Sequence, residues 1–436
     1  MRVYLAALRN RDFRRLWIGA LISLLGDGAT WTALAWIAVT RGGASSLAVL
    51  GVCYSAPVIV GGLLAGKVVD RFSRRRLLVF DSVVRSAAML TVPVLFGLGE
   101  LHLWNLYAVA AVYGLFKILP IGIVPAVLPD LVPAEQLDTA IALEAIATGA
   151  GGLLGPALGG AMIAFFSPPW VLLVDAASYL IFAAAVLSLR TPLAKPAVPP
   201  PPSDDDAAAT AGPAAHDTRT GSWRPVLRFL FADRVMLVIL VAFTSFNAAM
   251  GMLIVAQPWL AHYRLAGGAQ TLGVIVGGLA AAEIIGSVIA GAIRPAVRPM
   301  LRIGVLQVLS GSALLLFLHA DIALVLAGEL LCGIPAMLLT VSSQSVRYQR
   351  TPEHLRARTM TLMRTLMLGA APVGSAIAGP LLAAGHYTDM VLLMVLLAGA
   401  PGLLSIGLVR NAVIRPRERA AEPSEPGVEP ALAADH

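Results

Sequence analysis

Long apolar stretches separated by short polar loops dominate the pattern of this chain. Each stretch has about the 20 residues that an α-helix needs to cross a lipid bilayer. The stretches are too long and too evenly apolar for membrane β-barrel strands, which alternate apolar and polar positions. The pattern therefore predicts twelve helical spans, numbered in chain order: 16–40, 47–66, 77–98, 104–127, 139–165, 170–189, 235–260, 271–293, 301–318, 322–341, 360–384 and 388–409.

One polar segment, residues 190–233, is much longer than the others and separates six spans from six. Its Pro/Ala/Asp-rich first part predicts a disordered linker, and "WRPVLRFLFADR" predicts an amphipathic helix at the membrane face. We therefore expect an all-α membrane protein of two pseudo-symmetric six-helix halves. The predicted divisions are an N-terminal half over 1–190, a cytoplasmic linker over 191–233, a C-terminal half over 234–410 and a disordered cytoplasmic tail over 411–436.

The two halves share features at corresponding positions. Span 5 carries "GPALGG" and span 11 carries "GSAIAGP", while span 1 carries Asp27 and span 7 carries Asn247 at a comparable depth. Two repeated halves of this kind are the layout of many secondary transporters.

Composition agrees with a membrane protein. The chain is 58% apolar and 13% charged, whereas soluble domains are about 45–50% apolar and about 25% charged. The first apolar run is longer than the core of a signal peptide and no small-residue cleavage site follows it, so a retained span is expected.

The basic residues predict the orientation of the spans. Of 32 Lys and Arg, 28 lie in segments that the predicted spans place on the same side of the membrane as the N-terminus. Arg41 and Arg264 lie on the other side, and Arg85 and Lys117 lie within spans. This asymmetry predicts a multi-pass protein of the inner (plasma) membrane with both termini in the cytoplasm. The net charge of +7 is thus explained by topology, and no nucleic-acid partner is expected.

Sequence signals for other functional classes are missing. Both cysteines lie in apolar runs, the seven histidines are scattered, and no phosphate-binding loop, H-E-x-x-H or G-x-S-x-G motif is present. We expect no cofactor, no metal, no ATP-driven pumping and no enzymatic activity.

The loop after span 2, "GKVVDRFSRRR", resembles the signature loop of the major facilitator superfamily, G-x-x-x-D-R-x-G-R-R. The matching residues are Gly66, Asp70, Arg71, Arg74 and Arg75, and Ser73 replaces the usual second glycine. In span 5, "GGLLGPALGG" resembles the exporter motif of that superfamily through Gly151, Gly155, Pro156, Gly159 and Gly160.

Further segments, "NRDFRRLWIGALISLLGD", "PAVLPDLVP" and "VDAASYL", resemble the branch that contains the enterobactin exporter and the macrolide-efflux proteins. The resemblance, over about residues 8–410, implies that Asp70 latches the two halves, with Arg71, Arg74 and Asp130 in a charge network beside it. It also implies that the motif in span 5 seals the interface between the halves.

Three charged residues near the middle of spans are candidates for proton coupling: Asp27, Lys117 and Glu283. A charge in hydrocarbon is costly unless it faces a cavity or a partner. We expect Asp27 to pair with Lys117 when the site is hydrated, and a purely structural role for Asp27 stays open. Four further residues are candidates to line a substrate cavity: Trp31, Tyr113, Phe246 and Asn247.

The remaining intramembrane charges have structural interpretations. Asp81 and Arg85 are four residues apart on span 3 and can form a pair. Asp175 is expected near the outer end of span 6, and Glu329 and Glu144 are weaker proton candidates.

The predicted function is a secondary exporter of amphiphilic small molecules, such as drugs, siderophores or secondary metabolites, driven by exchange for protons. The chain is expected to be monomeric. A nutrient importer and a transport-inactive receptor or assembly partner remain alternatives, and the sequence does not specify the cargo.

Overall fold

The computed structural model describes residues 7–193, 224–293 and 298–407, without the side chains of seven of them: Gly66, Lys67, Asp70, Arg224, Glu353, His354 and Ala357. Its elements are helices joined by short turns, and the described ranges contain no strand. Eleven of these helices are long and apolar enough to cross a membrane.

Spans 1 and 2 together form one helix, Arg11–Arg71, which is interrupted at Gly43. At 1.5 Å per residue, 61 residues extend about 90 Å, far more than one crossing of a bilayer requires. Gly43 has φ 63° and ψ −155°, a conformation that is essentially restricted to glycine. The break at Gly43 therefore divides this helix into two spans, and the predicted twelve-span fold is confirmed.

The other spans match the predicted apolar runs to within a few residues in most cases. Their helices are span 3, Arg74–Gly97; span 4, Leu103–Phe116 and Ile118–Leu131; span 5, Leu137–Phe165; span 6, Pro168–Leu187; span 7, Arg234–Tyr263; span 8, Gly268–Ala292; span 9, Pro299–Ala313 with the 3₁₀ turn Leu314–Leu318; span 10, Ile322–Arg350; span 11, Glu353–Leu368 and Ala370–Ala383; and span 12, Tyr387–Gly407.

Spans 4 and 11 are each broken once, and a proline explains each break. A proline cannot bond to the carbonyl four residues earlier, and its ring clashes with that carbonyl. Pro120 lies four residues after Phe116, where the first part of span 4 ends. Pro372 has the same relationship to Leu368 in span 11.

The linker contains the predicted helix at Arg224–Ala232. Val226 and Leu230 are buried, and Leu230 packs with Met236 of span 7 and Met363 of span 11. The apolar face of this helix therefore packs on the C-terminal half. Most of the predicted disordered linker, like the tail, falls outside the described residues.

The packing of the two halves differs between the two ends of the bundle. We call the end that carries the start of span 1 the basic end and the other the opposite end. Toward the basic end each half has its own core, which includes Phe13 and Phe182 in the N-terminal half and Met236 and Met363 in the C-terminal half. Toward the opposite end one core contains residues of both halves, so the halves are joined there.

Direct contacts between the halves also lie toward the opposite end. A Cβ on Gly160 of span 5 would lie 2.5 Å from the Ala269 carbonyl oxygen of span 8, and Gly379 of span 11 lies against Ala48 of span 2. The ring of Trp36 meets His262 edge-on at 5.3 Å. The bundle is therefore closed at the opposite end and open at the basic end.

Candidate functional site

Asp27 lies in span 1 between two glycines that allow neighbouring spans to approach closely. Gly26 lies against the carboxylate of Asp175 in span 6, and a Cβ on Gly28 would lie 2.9 Å from the Gly155 Cα in span 5. The Asp27 carboxylate consequently lies where spans 1, 3, 5 and 6 converge.

Asp27 belongs to a buried charge network around Arg85 of span 3. Arg85 Nη1 donates to Asp27 Oδ1 at 3.2 Å and to the Tyr179 hydroxyl at 3.1 Å. Arg85 Nη2 donates to Asp81 Oδ2 at 2.6 Å, and the Tyr179 hydroxyl also donates to Asp27. The predicted Asp81–Arg85 pair is present, but it is part of a larger network that contains Asp27.

Asp175 lies beside this network and not at a helix end. It is fully buried in the first half of span 6 and accepts hydrogen bonds from the Thr30 hydroxyl at 2.5 Å and the Ser178 hydroxyl at 2.9 Å. Asp175 lies in the predicted outer half of span 6, seven residues after its start, but an apolar run does not show which neighbouring side chains a residue meets, and the contact with Thr30 was not predicted.

The network contains more acidic than basic groups. Asp27 and Asp81 pair with one guanidinium, that of Arg85, and Asp175 lies beside them. The described residues include no second cation within ion-pair distance of these three carboxylates. Full ionisation would leave excess negative charge in a low-dielectric interior, which is costly unless protons bind. The arrangement can therefore hold and release protons.

Lys117 does not pair with Asp27 in this structure, which corrects the sequence-based expectation. Its ammonium instead donates to the Tyr54 hydroxyl of span 2 at 2.5 Å. Arg85 occupies the position next to Asp27 that was expected for Lys117. Lys117 lies at the break in span 4, between Phe116 and Ile118.

Three aromatic rings, from spans 1, 2 and 4, form a cluster beside Lys117. The Trp31 and Tyr54 ring centroids are 5.0 Å apart, and those of Tyr54 and Tyr113 are 5.6 Å apart. The Tyr113 hydroxyl donates to the backbone oxygen of Asp27 at 3.1 Å. Trp31 and Tyr113, both predicted cavity residues, are thus close to the charge network.

The C-terminal half contains a cavity of about 680 Å³, a size suited to a drug-sized ligand. Its lining includes the predicted residues Phe246, Asn247 and Glu283. Glu283 is exposed to this cavity, and no described Lys, Arg or His lies within ion-pair distance of its carboxylate. Asn247 donates to the Phe243 carbonyl at 2.8 Å.

Glu329 of span 10 is fully buried next to the cavity wall. Gln257 of span 7 donates to Glu329 Oε1 at 2.7 Å, while Oε2 has no hydrogen-bond partner in the described residues. A buried carboxyl with one amide donor and no cation is most stable in its neutral form.

At the basic end, the loop after span 2 contacts its own half. Arg74 Nη1 lies 3.5 Å from Asp130 Oδ2, and Arg75 donates to the Leu189 carbonyl oxygen. Arg71 is exposed beside the Phe72 ring. The surroundings of Gly66 and the side chain of Asp70 are outside what the structure describes, so the Asp70 latch stays a prediction.

The glycines of span 5 lie on two faces of the helix. A Cβ on Gly151, Gly155 or Gly159 would lie 2.7 Å from an atom of span 1, whereas Gly160 faces span 8. The Pro156 carbonyl oxygen also faces span 8, 2.6 Å from a Cβ built on Gly273. Within the motif, contact with the other half therefore comes from Gly160 and Pro156, while the other three motif glycines pack within their own half.

Sequence reasoning did not include Tyr54 and Tyr179 in the site. A tyrosine hydroxyl in hydrocarbon needs a polar partner, and this requirement is the signal that could have indicated a polar partner for Tyr179 of span 6. The same reasoning would have favoured a polar partner for Tyr54 of span 2.

Comparison with known proteins agrees with this architecture. The chain is 25% identical over 409 residues to the multidrug efflux pump Tap of Mycobacterium tuberculosis (strain ATCC 25618 / H37Rv), over 89% of this chain and 91% of that protein. It is 31% identical over 170 residues to the uncharacterized MFS-type transporter YfiS of Bacillus subtilis (strain 168), over 38% of this chain and 40% of that protein.

The crystal structure of the nucleoside transporter NupG has the same fold, with a TM-score of 0.66 at 14% identity, over 92% of this chain and 100% of that chain. The sequence profile of the Major Facilitator Superfamily matches residues 16–375. This match covers both halves, including Asp27, the loop after span 2 and the glycines of span 5, and we conclude that the chain belongs to the Major Facilitator Superfamily of membrane transporters.

Proposed function

We propose that this transporter is a secondary exporter that exchanges protons for amphiphilic small molecules across the plasma membrane. The observation that carries the proposal is the ion pair between Asp27 and Arg85. The likeness to Tap, a protein named as a multidrug efflux pump, supports the direction of transport.

Within the network, Asp27 is the member that can exchange protons. Its side chain is 16% exposed, whereas those of Arg85 and Asp81 are 1% and 0% exposed. The proposal therefore assigns proton exchange to Asp27, the more exposed partner of Arg85. Protonation removes the charge that Arg85 Nη1 faces and leaves Arg85 paired with Asp81 alone.

A short path of backbone contacts leads from Asp27 to the other half. Gly28, the next residue, packs on Gly155 of span 5, and Pro156 and Gly160 of the same span contact span 8. Rearrangement at Asp27 would shift span 1 against span 5, and the contact with span 8 would then shift too. In this proposal that movement links proton binding to alternating access.

The open end is where cargo would enter in the proposed export cycle. The halves separate at the basic end, which positive-inside topology assigns to the cytoplasm. A cavity open on that side can take up cargo from the cytoplasm or the inner leaflet. In the proposed cycle, a proton that binds Asp27 from the outer side is released to the cytoplasm in this conformation, as Asp27 pairs with Arg85.

The test is dye transport into inverted membrane vesicles under an imposed pH gradient. Asp27→Asn keeps the shape of the side chain but cannot ionise, so gradient-driven accumulation should be abolished while passive equilibration of the dye continues. Asp389→Asn is the matched control, because Asp389 is exposed at the opposite end. Accumulation by Asp27→Asn at the wild-type rate would refute a coupling role for Asp27.

A further inference from the structure

The charges that line the C-half cavity are separated along its length. Glu283 lies beside Gly286, which packs against Ile334 and Met337 of span 10. Arg347, another lining residue, lies ten residues beyond Met337 on the same helix, or about 15 Å toward the basic end at 1.5 Å per residue. Glu283 and Arg347 therefore lie at different depths of one cavity.

Arg347 is a buried cation without an acidic partner. It is only 8% exposed, and its described hydrogen bonds run to the Ser343 carbonyl oxygen at 3.3 Å and the Met367 sulfur at 3.7 Å. Its guanidinium also lies 5.8 Å from the Phe243 ring centroid. No described carboxylate lies within ion-pair distance, so none of these contacts neutralises the charge.

Internal stabilisation of Arg347 is small compared with the cost of its burial. The carboxyl end of span 10 favours a cation only weakly, whereas burial of a charge without a counter-ion is strongly unfavourable. Arg364 of span 11 lines the same cavity and is exposed. Two guanidinium groups thus face a cavity in which the described residues provide one carboxylate, at another depth.

The surface between these charges is mostly apolar and adaptable, with the neutral polar residues Asn247, Thr340 and Gln344 also in its lining. It includes Phe243, Phe246, Met250 and Met337, and methionine and aromatic side chains can pack against ligands of many shapes. A ligand that matches this cavity has an apolar body, an acidic group near Arg347 and Arg364 toward the basic end, and a cationic group near Glu283, farther from that end.

We propose that the C-half cavity binds a zwitterionic amphiphile, whose oxyanion pairs with Arg347 and Arg364 and whose cationic group pairs with Glu283. The inference rests on the proposed function, because it assigns the charge type of the exported cargo. Guanidinium groups bind carboxylates through two parallel hydrogen bonds, which makes Arg347 selective for the acidic group.

The test uses two rhodamine dyes, one with a free carboxylate and the other its methyl ester. The dyes share a cationic ring system, so their comparison isolates the acidic group. Fluorescence anisotropy with the full chain in nanodiscs of neutral lipid should show that the carboxylate dye binds about tenfold more tightly, which corresponds to about 1.4 kcal/mol.

Variants separate the two ends of the site. Arg347→Gln should weaken binding of the carboxylate dye about tenfold, while its affinity for the ester should stay within about twofold of the wild type. Arg347→Lys should restore part of the preference for the carboxylate dye. Glu283→Gln should weaken both dyes. Arg9→Gln is the control, because it removes an exposed charge at the basic end of the other half. It should change the affinity for neither dye.

Three outcomes would overturn the proposal: equal binding of the two dyes by the wild type, equal weakening of both dyes by Arg347→Gln, or loss of the preference in nanodiscs that contain phosphatidylglycerol. The last outcome would assign the site to an anionic lipid. Binding is measured without a gradient, so selective binding without gradient-driven accumulation would contradict the proposed export but not this site.

Discussion

Arg85 Nη1 donates a hydrogen bond to Asp27 Oδ1 at 3.2 Å although the two residues are 58 positions apart in the chain. The guanidinium belongs to span 3 and the carboxylate to span 1. Since Arg85 also binds Asp81 of its own helix, one fully buried cation determines both the packing of spans 1 and 3 and the charge state of the network.

Removal of this cation should destabilise the fold. Arg85→Gln leaves Asp27 and Asp81 without their counter-ion, and loss of one partner of a buried pair costs about 3–5 kcal/mol. The expected result is a lower midpoint of thermal unfolding for the purified protein. The double variant Arg85→Gln with Asp81→Asn should recover part of that loss, and an unchanged midpoint for Arg85→Gln would contradict this account.

The contact between spans 1 and 5 should tolerate no added methyl group. A Cβ on Gly155 would lie 2.7 Å from the Leu25 oxygen and 2.8 Å from the Gly28 Cα, and both are backbone atoms. We expect Gly155→Ala to lower stability by about 1–3 kcal/mol through overpacking, measured as a shift of the unfolding midpoint.

The matched control for that substitution is Gly62→Ala. No atom lies within 4 Å of a Cβ built on Gly62, and alanine in a helix is favoured over glycine by about 0.5–1 kcal/mol. Gly62→Ala should therefore be neutral or stabilising. If both variants lowered the unfolding midpoint equally, the loss of stability in Gly155→Ala would not come from the close approach of spans 1 and 5.

Reporter fusions test the orientation in the membrane. The charge asymmetry predicts that fusions at Ala215 and at the C-terminus are cytoplasmic, so green fluorescent protein should fluoresce there and alkaline phosphatase should be inactive. A fusion at Ala266, between spans 7 and 8, should show the reverse. Phosphatase activity at Ala215 or the C-terminus would refute the topology.

The spans themselves were predictable because each depends on local composition alone. The predicted span 6, 170–189, differs by two residues at each end from the helix Pro168–Leu187. The break at Lys117 was not predicted, although Pro120 provides a local signal for it.

The partners within the site were not predictable from the sequence in the same way. Which faces of two helices meet depends on their packing, so Lys117 and Arg85 were equally available to Asp27 from the sequence. Arg347 was treated only as a topology charge because the predicted span ended at 341, whereas the helix continues to Arg350. Those additional turns bring Arg347 into the cavity.

The closed end of the bundle is joined largely through glycine and alanine, as at Gly160 with Ala269 and Gly379 with Ala48. Such residues form smooth surfaces without side chains that insert into holes. Separation of the halves at these glycine–alanine contacts requires no side chain to withdraw from a pocket, whereas the Trp36 ring at the same end must leave its edge contact with His262. A joint of this kind can be tight against leakage in one conformation and still open quickly during each transport cycle.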